Sequence, residues 1–256
     1  MEILSGLMFE LANEDRLRIL IKLREKPMRL TQLSEQLRLN MQETSRHLSR
    51  LSEAGLIFKE AEGLYQVQPF GGEILTLMDG FEFLSKYRDY FNDHDLTKLP
   101  LAFHNRIGEL KACTLAIDVF TSLAMVENVI READEYLWMM SDQVLASTKP
   151  LIEELTKKRT TKTRLILPDE LLTPPGFTPV PTVAGRNENK TLKQIDVSMV
   201  ISEKEALLAF RFKDGKMDFR AFSVVEPLSL NWCKELYLYY WSKAIIGHPK
   251  GYPSPF

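Results

Sequence analysis

Gln42, Ser45, Arg46 and Ser49 follow one another at three- and four-residue spacing, so on a helix they share one face. An amide, two hydroxyls and a guanidinium are the donors and acceptors that pair with base edges and phosphate oxygens of double-stranded DNA. Gln42 and Arg46 have long planar groups able to make two hydrogen bonds to one base, and they are the expected readers. Thr31 and Gln32 open the preceding segment, where side chains and free backbone N–H groups suit phosphate. Arg50, one turn beyond Arg46, and Lys59 further on add cations to the same expected set.

Bond-breaking chemistry has little to work with. The four histidines, His47, His94, His104 and His248, show no ligand spacing, and there is no glycine-rich phosphate loop or Gly-x-Ser-x-Gly elbow. Cys113 and Cys233 are far apart and belong to no Cys-x-x-Cys pair, which argues against a disulfide scaffold and a structural zinc. They form a redox switch only if the fold brings them together. No metal, cofactor or catalytic residue is therefore expected. Trp138 and Trp232, with Trp241 and the tyrosines at 237, 239 and 240, offer aromatic walls either for a small effector or for core packing.

The polar face needs a scaffold, and the N-terminal sequence supplies one. Asn13 is placed to cap a helix over roughly 14–25, with Leu17, Leu20 and Ile21 inward, Arg16, Arg18 and Lys22 outward, and Pro27 at its end. Before it, apolar residues from Ile3 to Leu11 recur at helical spacing. Thr31 caps a short helix carrying Leu33 and Leu37, and Arg38-Leu39-Asn40 makes a turn. A longer helix, 41–54, places Met41, Thr44, Leu48 and Leu51 inward, and Gly55 ends it. Residues 56–59 and 64–68 alternate as two strands around Glu62-Gly63. Helix, helix, turn, helix, hairpin is the winged helix-turn-helix order. Cations and carboxylates nearly balance over residues 1–68, and Lys59 is accompanied by Glu60 and Glu62, so wing contacts are doubtful and one module binds weakly.

Residues 72–92 read as one long amphipathic helix, either a connector, part of a dimer interface, or a core helix of the second domain; 93–100 break it. Beyond lie helices near 101–112 and 121–133, a strand at 135–141, a helix at 149–159 and a strand at 163–167, which suggest a parallel crossover unit. Pro168, Pro174, Pro175, Pro179 and Pro181 crowd an irregular stretch. Strands are expected at 194–201, 206–212 and 217–225, the last two joined through Lys213-Asp214-Gly215-Lys216, and a Trp/Tyr-rich helix at 228–246.

Within TSRHLSRLSEAGLI, the serine-arginine-histidine-leucine run resembles the recognition helix of ArsR and MarR type winged-helix regulators, over residues 13–70. The resemblance implies a DNA role for Gln42, Ser45 and Arg46. LPLAFHNRIGELKAC, EYLWMMSDQVL and FSVVEPLSLNWCKELYLYYW are similar to archaeal regulators of the methanogenesis regulatory protein family, which implies transcriptional control. The strand and helix alternation also resembles a phospholipase D-like half-domain. Those enzymes use a His-x-Lys-x4-Asp motif; His248-Pro249-Lys250 gives its first half, but Pro255 stands where the Asp is needed, so no enzyme is expected.

The reading is an α+β protein: a winged helix-turn-helix over 1–70, a connecting helix and linker over 71–100, and a larger mixed α/β domain over 101–256 for effector sensing or dimerisation. The expected activity is sequence-specific binding of double-stranded DNA by a homodimer, modulated by a small-molecule or protein effector. A winged helix for protein or RNA contacts, and more remotely a phosphodiesterase, are the alternatives. Glu2 and Glu10, where a signal peptide would be basic, and the lack of any apolar stretch of spanning length point to the cytoplasm and to no membrane partner. The net charge of −2 excludes recognition of nucleic acid by bulk charge.

Overall fold

Residues 1–157, 161–171 and 186–250 are described by a computed structural model, in which the chain separates into two units, Met1–Phe81 and Glu82–Phe256. The first contains α1 (Glu2–Leu11), α2 (Glu14–Glu25), β1 (Met28–Arg29), α3 (Leu30–Leu37), α4 (Met41–Glu53), β2 (Ile57–Lys59), β3 (Leu64–Val67) and most of α5 (Pro69–Lys86). The three strands form an antiparallel sheet in the order β1-β3-β2. Asn13 caps α2 as its residue type suggests, its side chain accepting from the Arg16 N–H at 3.0 Å. Ile19, Leu20, Leu33, Leu48, Leu51 and Leu56 are wholly buried and knit the helices together.

Two inward assignments change. In α2, Ile19 is buried and Ile21 half exposed, while Arg16, expected outside, is buried. Its guanidinium donates to the carbonyls of Glu10 (2.6 Å) and Phe9 (2.8 Å) and pairs with the Glu10 carboxylate, so the last carbonyls of α1 are satisfied and the buried charge is compensated. Helical periodicity does not register such a partner. Met41 is likewise half exposed at the start of α4.

The second unit adds α6 (Arg88–Asp93), α7 (Leu101–His104), a 3-10 turn (Ile107–Leu110), β4 (Thr114–Leu115), α8 (Val119–Glu132), β5 (Tyr136–Met140), α9 (Lys149–Lys157) and β6 (Lys162–Pro168). It continues with β7 (Asn187–Leu192), β8 (Val197–Ser202), β9 (Ala206–Phe210), β10 (Phe222–Val224), α10 (Pro227–Lys243) and β11 (Ile245–Ile246). The described strands form an eight-stranded mixed sheet, β11-β7-β6-β5-β8-β9-β10-β4. β5, β6 and β7 run parallel, and β5-α9-β6 is the crossover that the strand-helix-strand pattern predicts.

Both sheet faces are covered. Met199, Ile201, Leu208, Phe210 and Phe222 pack with Trp232, Leu236 and Tyr237 of α10, whereas Val200, Leu207 and Ala209 pack with Val129 and Ile130 of α8 and Leu155 of α9. Alternate residues of β8 and β9 thus serve opposite layers, which is why these strands read as near-continuous apolar runs, broken in β8 by Ser198.

Several boundaries differ from expectation. The 72–92 helix starts earlier, at Pro69, and is interrupted at Tyr87 before α6. Residues 71–100 do not stand apart as a connector: Leu75 belongs to the first core, and Phe83, Tyr90 and Leu99 to the second. The helix near 101–112 is α7 followed by the 3-10 turn, and of the strand expected at 217–225 only 222–224 forms a strand, with Met217 in an isolated bridge to Arg211. β7 was not expected, because Asn187-Glu188-Asn189-Lys190 carries no apolar alternation; its pairing with β6 holds it in the sheet. The last helix stops at Lys243, and Ile245-Ile246 pair with β7 at the sheet edge. Of the proline-rich stretch, Pro168 ends β6, while Pro174, Pro175, Pro179 and Pro181 lie outside the described residues. Among the described residues no helix is long and apolar enough to cross a membrane.

Candidate nucleic-acid interface

The geometry of α4 begins at the turn before it. Arg38 adopts a left-handed conformation, φ 56°, which reverses the chain between α3 and α4. Ser34 Oγ donates to the Leu39 carbonyl (2.6 Å) and Arg18 Nη2 to the Leu37 carbonyl (3.0 Å), fixing that turn to α2 and α3. Asn40 then caps α4, its side chain accepting from the Glu43 N–H at 2.7 Å. At the far end Gly55, φ 71°, permits the Leu56 N–H to reach back to the Leu51 carbonyl (3.0 Å). The helix is pinned at both ends.

Between these pins, Thr44, His47, Leu48 and Leu51 are buried, and Gln42, Ser45, Arg46 and Ser49 are exposed. None of those four exposed side chains has a hydrogen bond or ion pair within the described residues, so each is available to a ligand. The expected polar face is thus brought together on one rigid element. Arg50 differs: its guanidinium pairs with Glu10, at 2.9 Å from Nε, and lies 5.4 Å from the Phe9 ring, so it ties α4 to α1. A partner forty residues away in sequence cannot be read from spacing.

Thr31 and Gln32 lie exposed in the first turn of α3. The cap differs from expectation, because the helix begins one residue before Thr31, and Gln32 Oε1 accepts from the Arg29 N–H at 2.8 Å. Only the amide NH2 of Gln32 is left facing outward for an acceptor. On the wing, Lys59 is exposed and sits over the Tyr65 ring at 5.5 Å, while Glu60 accepts from Gln66 and Glu62 is exposed. Two carboxylates beside one cation leave the hairpin without a net positive charge.

His47, one of the four histidines of the sequence, lies on the buried stripe of α4. It is buried, its Nδ1 has no hydrogen-bond partner, and burial holds its pKa below the usual histidine value of 6.5. Asp15 and Glu43 oppose that shift, and Arg16 and Arg46 add to it. The folded unit therefore favours neutral His47: its contribution is complete above pH 6.5 and is lost as pH falls through that value toward the lower folded pKa. Acid lowering of the unit's unfolding midpoint should begin near pH 6.5 and disappear in His47→Gln; an unchanged pH profile in that variant would rule the mechanism out. Glu10, held low chiefly by Arg50, acts only below about pH 4.5, in a separate window.

The other sequence candidates lie in the second unit. Trp232 is fully buried, its Nε1 donating to the Phe103 carbonyl (3.3 Å). Trp138 is nearly so, stacked on Tyr237 and under Arg164. Both are core residues rather than cavity walls. Cys113 and Cys233 are buried and free, and burial pushes both thiols up, Cys113 to about 11, so both stay protonated and poorly nucleophilic. His248 is exposed, Lys250 Nζ faces Glu170 at 3.6 Å, and position 255 lies outside the described residues.

Residues 13–59 match the helix-turn-helix pattern of the family described as bacterial regulatory protein, arsR family. That match spans α2 through β2 and includes every residue of the exposed α4 face. No curated protein matches the sequence. Among solved structures, the chain is similar to TrmBL2, described as an archaeal chromatin protein, at 15% identity and a TM-score of 0.43, covering 92% of this chain and 94% of that one. It is also similar to NucT from Helicobacter pylori (12% identity, TM-score 0.37, 53% of this chain and 98% of that one). A third likeness is to IdeR from T. acidophilum (12% identity, TM-score 0.23, 84% and 98%).

Proposed function

We propose that this protein is a transcriptional regulator that binds double-stranded DNA in a sequence-specific manner through α4. The observation that carries this reading is the exposed, unengaged face of Gln42, Ser45, Arg46 and Ser49 on a helix whose opposite stripe is buried, inside the arsR-type match. Gln42 and Arg46 read base edges; Ser45, Ser49, Thr31 and Gln32 hold phosphate oxygens. Arg50 positions the helix, and Lys59 adds at most one wing contact.

A near-neutral module gains little from counterion release, so two copies must act together. A homodimer on an inverted-repeat site meets that need. Exposed apolar side chains on the first unit, Ile3, Met8 and Phe9 of α1 and Leu77 and Phe81 of α5, are consistent with a face that pairs. The second unit is a sensing domain, a phospholipase D-like half-domain without catalytic activity, in a cytoplasmic regulator of the methanogenesis regulatory protein family. An effector acts by binding one arrangement of the two reading helices better than another.

The test is a mobility shift with duplexes from upstream of the protein's own gene against scrambled duplexes of equal length and composition. Preference for the natural sequence by at least about tenfold is expected, with two protein copies per duplex and a shallow salt slope. Equal affinity for both duplexes would sink the regulator reading.

A further inference from the structure

The second unit has a partly open pocket of about 80 Å3 between α8, α9 and the sheet, and a neighbouring one of about 60 Å3 shares walls with it at Met139, Thr148, Ile152 and Leu165. The space exists because the sheet face under the helices carries small side chains, Ser198 and Ala209, together with Ala221, where larger ones would have met Leu123 and Val126 of α8. A close-packed interior leaves few voids of this size, and filling this one would need only ordinary side chains.

Its lining has one chemical character. The residues around the larger cavity include no charged side chain among those described. The polar members are hydroxyls and a rim amide, and most are already engaged. Ser122 Oγ accepts from the Ala221 N–H (2.9 Å), Ser141 Oγ from the Gln143 N–H (3.2 Å), and Thr148 Oγ1 donates to the Leu145 carbonyl (2.8 Å). The Ser198 hydroxyl has no protein partner among the described residues. An ionised ligand in the larger cavity would be stripped of water with no charge there to pair it, and the two cations lining the neighbouring one, Lys149 and Arg164, already face Glu153 at 3.6 Å and Glu188 at 3.2 Å, whereas an apolar body loses little and one hydroxyl or N–H finds Ser198.

We infer that this pocket and its neighbour together bind a small uncharged molecule, of the size of benzene to indole, with an apolar body in the larger pocket and one hydrogen-bonding group directed at Ser198. The assignment deepens the effector reading above, and rests on it only for the consequence at DNA. The tryptophans are not the walls of this site.

Titration of the full chain with benzene, phenol and indole, and with the anions benzoate and indole-3-acetate, tests it. The neutral probes should bind at least about tenfold more tightly than the anions. Ala209→Leu, which fills the floor, should weaken all neutral probes about tenfold or more. Ser198→Val should weaken phenol and indole while leaving benzene unchanged, and its smaller volume change guards against a folding defect in the first variant. Failure of every neutral probe, equal binding of the anions, or undiminished binding to both variants overturns the assignment. Duplex affinity measured in the same samples separates the two claims: probe binding that leaves DNA affinity unchanged supports the cavity and removes the effector reading.

Discussion

Arg46→Ala should weaken binding of the preferred duplex by about 1–3 kcal/mol for each reading helix, roughly five- to 150-fold, with little change in the unfolding midpoint. The separation of the two effects follows from position. Arg46 is exposed and has no hydrogen bond or ion pair within the described residues, so its removal takes nothing from the folded unit. A bidentate contact to a base, by contrast, depends on the planar guanidinium fork. Arg46→Lys should therefore retain binding to scrambled duplex and lose discrimination, because it keeps the charge without the fork. Mobility shifts on natural and scrambled duplexes, with thermal unfolding of each variant, give both numbers. If Arg46→Ala discriminated between duplexes as the parent does, α4 would not be the reader.

Gly71→Ala should destabilise the first unit by about 3 kcal/mol, at or beyond the upper end of ordinary overpacking. A Cβ at Gly71 would lie 2.2 Å from the Leu56 carbonyl oxygen and 3.0 Å from Val67 Cγ1. The obstructing atom is backbone at the junction just after α4, where the Gln68 N–H also bonds the Leu56 carbonyl at 3.0 Å, so no side-chain rotation relieves the clash. Gly72 is the internal control. Nothing lies within 4 Å of its would-be Cβ, and Gly72→Ala should stabilise α5 by about 0.5–1 kcal/mol. Helical circular dichroism during urea unfolding reports the loss, while fluorescence of Trp138, Trp232 and Trp241 tracks the second unit, which holds all three. A Gly71→Ala midpoint equal to the parent's would show that α5 can shift away from the hairpin without cost.

The two predictions differ in how far sequence alone supports them. The exposed face of α4 was legible because helical spacing sorts Gln42, Ser45, Arg46 and Ser49 from Thr44, Leu48 and Leu51 without reference to any other element. The clash at Gly71 was not, since it joins α5 to a carbonyl fifteen residues earlier. The same limit explains Arg16 and Arg50, charges that spacing places toward solvent and that Glu10 draws into the contact between α1, α2 and α4.

Local periodicity and capping chemistry by themselves determined the winged-helix order, the exposed polar face of α4, and the strand-helix-strand succession of β5, α9 and β6. These depend on residues within one or two turns of each other, and the chain geometry that relates them is the same in any fold. Tertiary structure alone decided which cations are free, that Trp138 and Trp232 are core, that a polar segment becomes β7, and that small side chains on the sheet leave a cavity under α8 and α9. Each of those outcomes depends on a partner far along the chain, which supplies the charge, the strand or the missing volume.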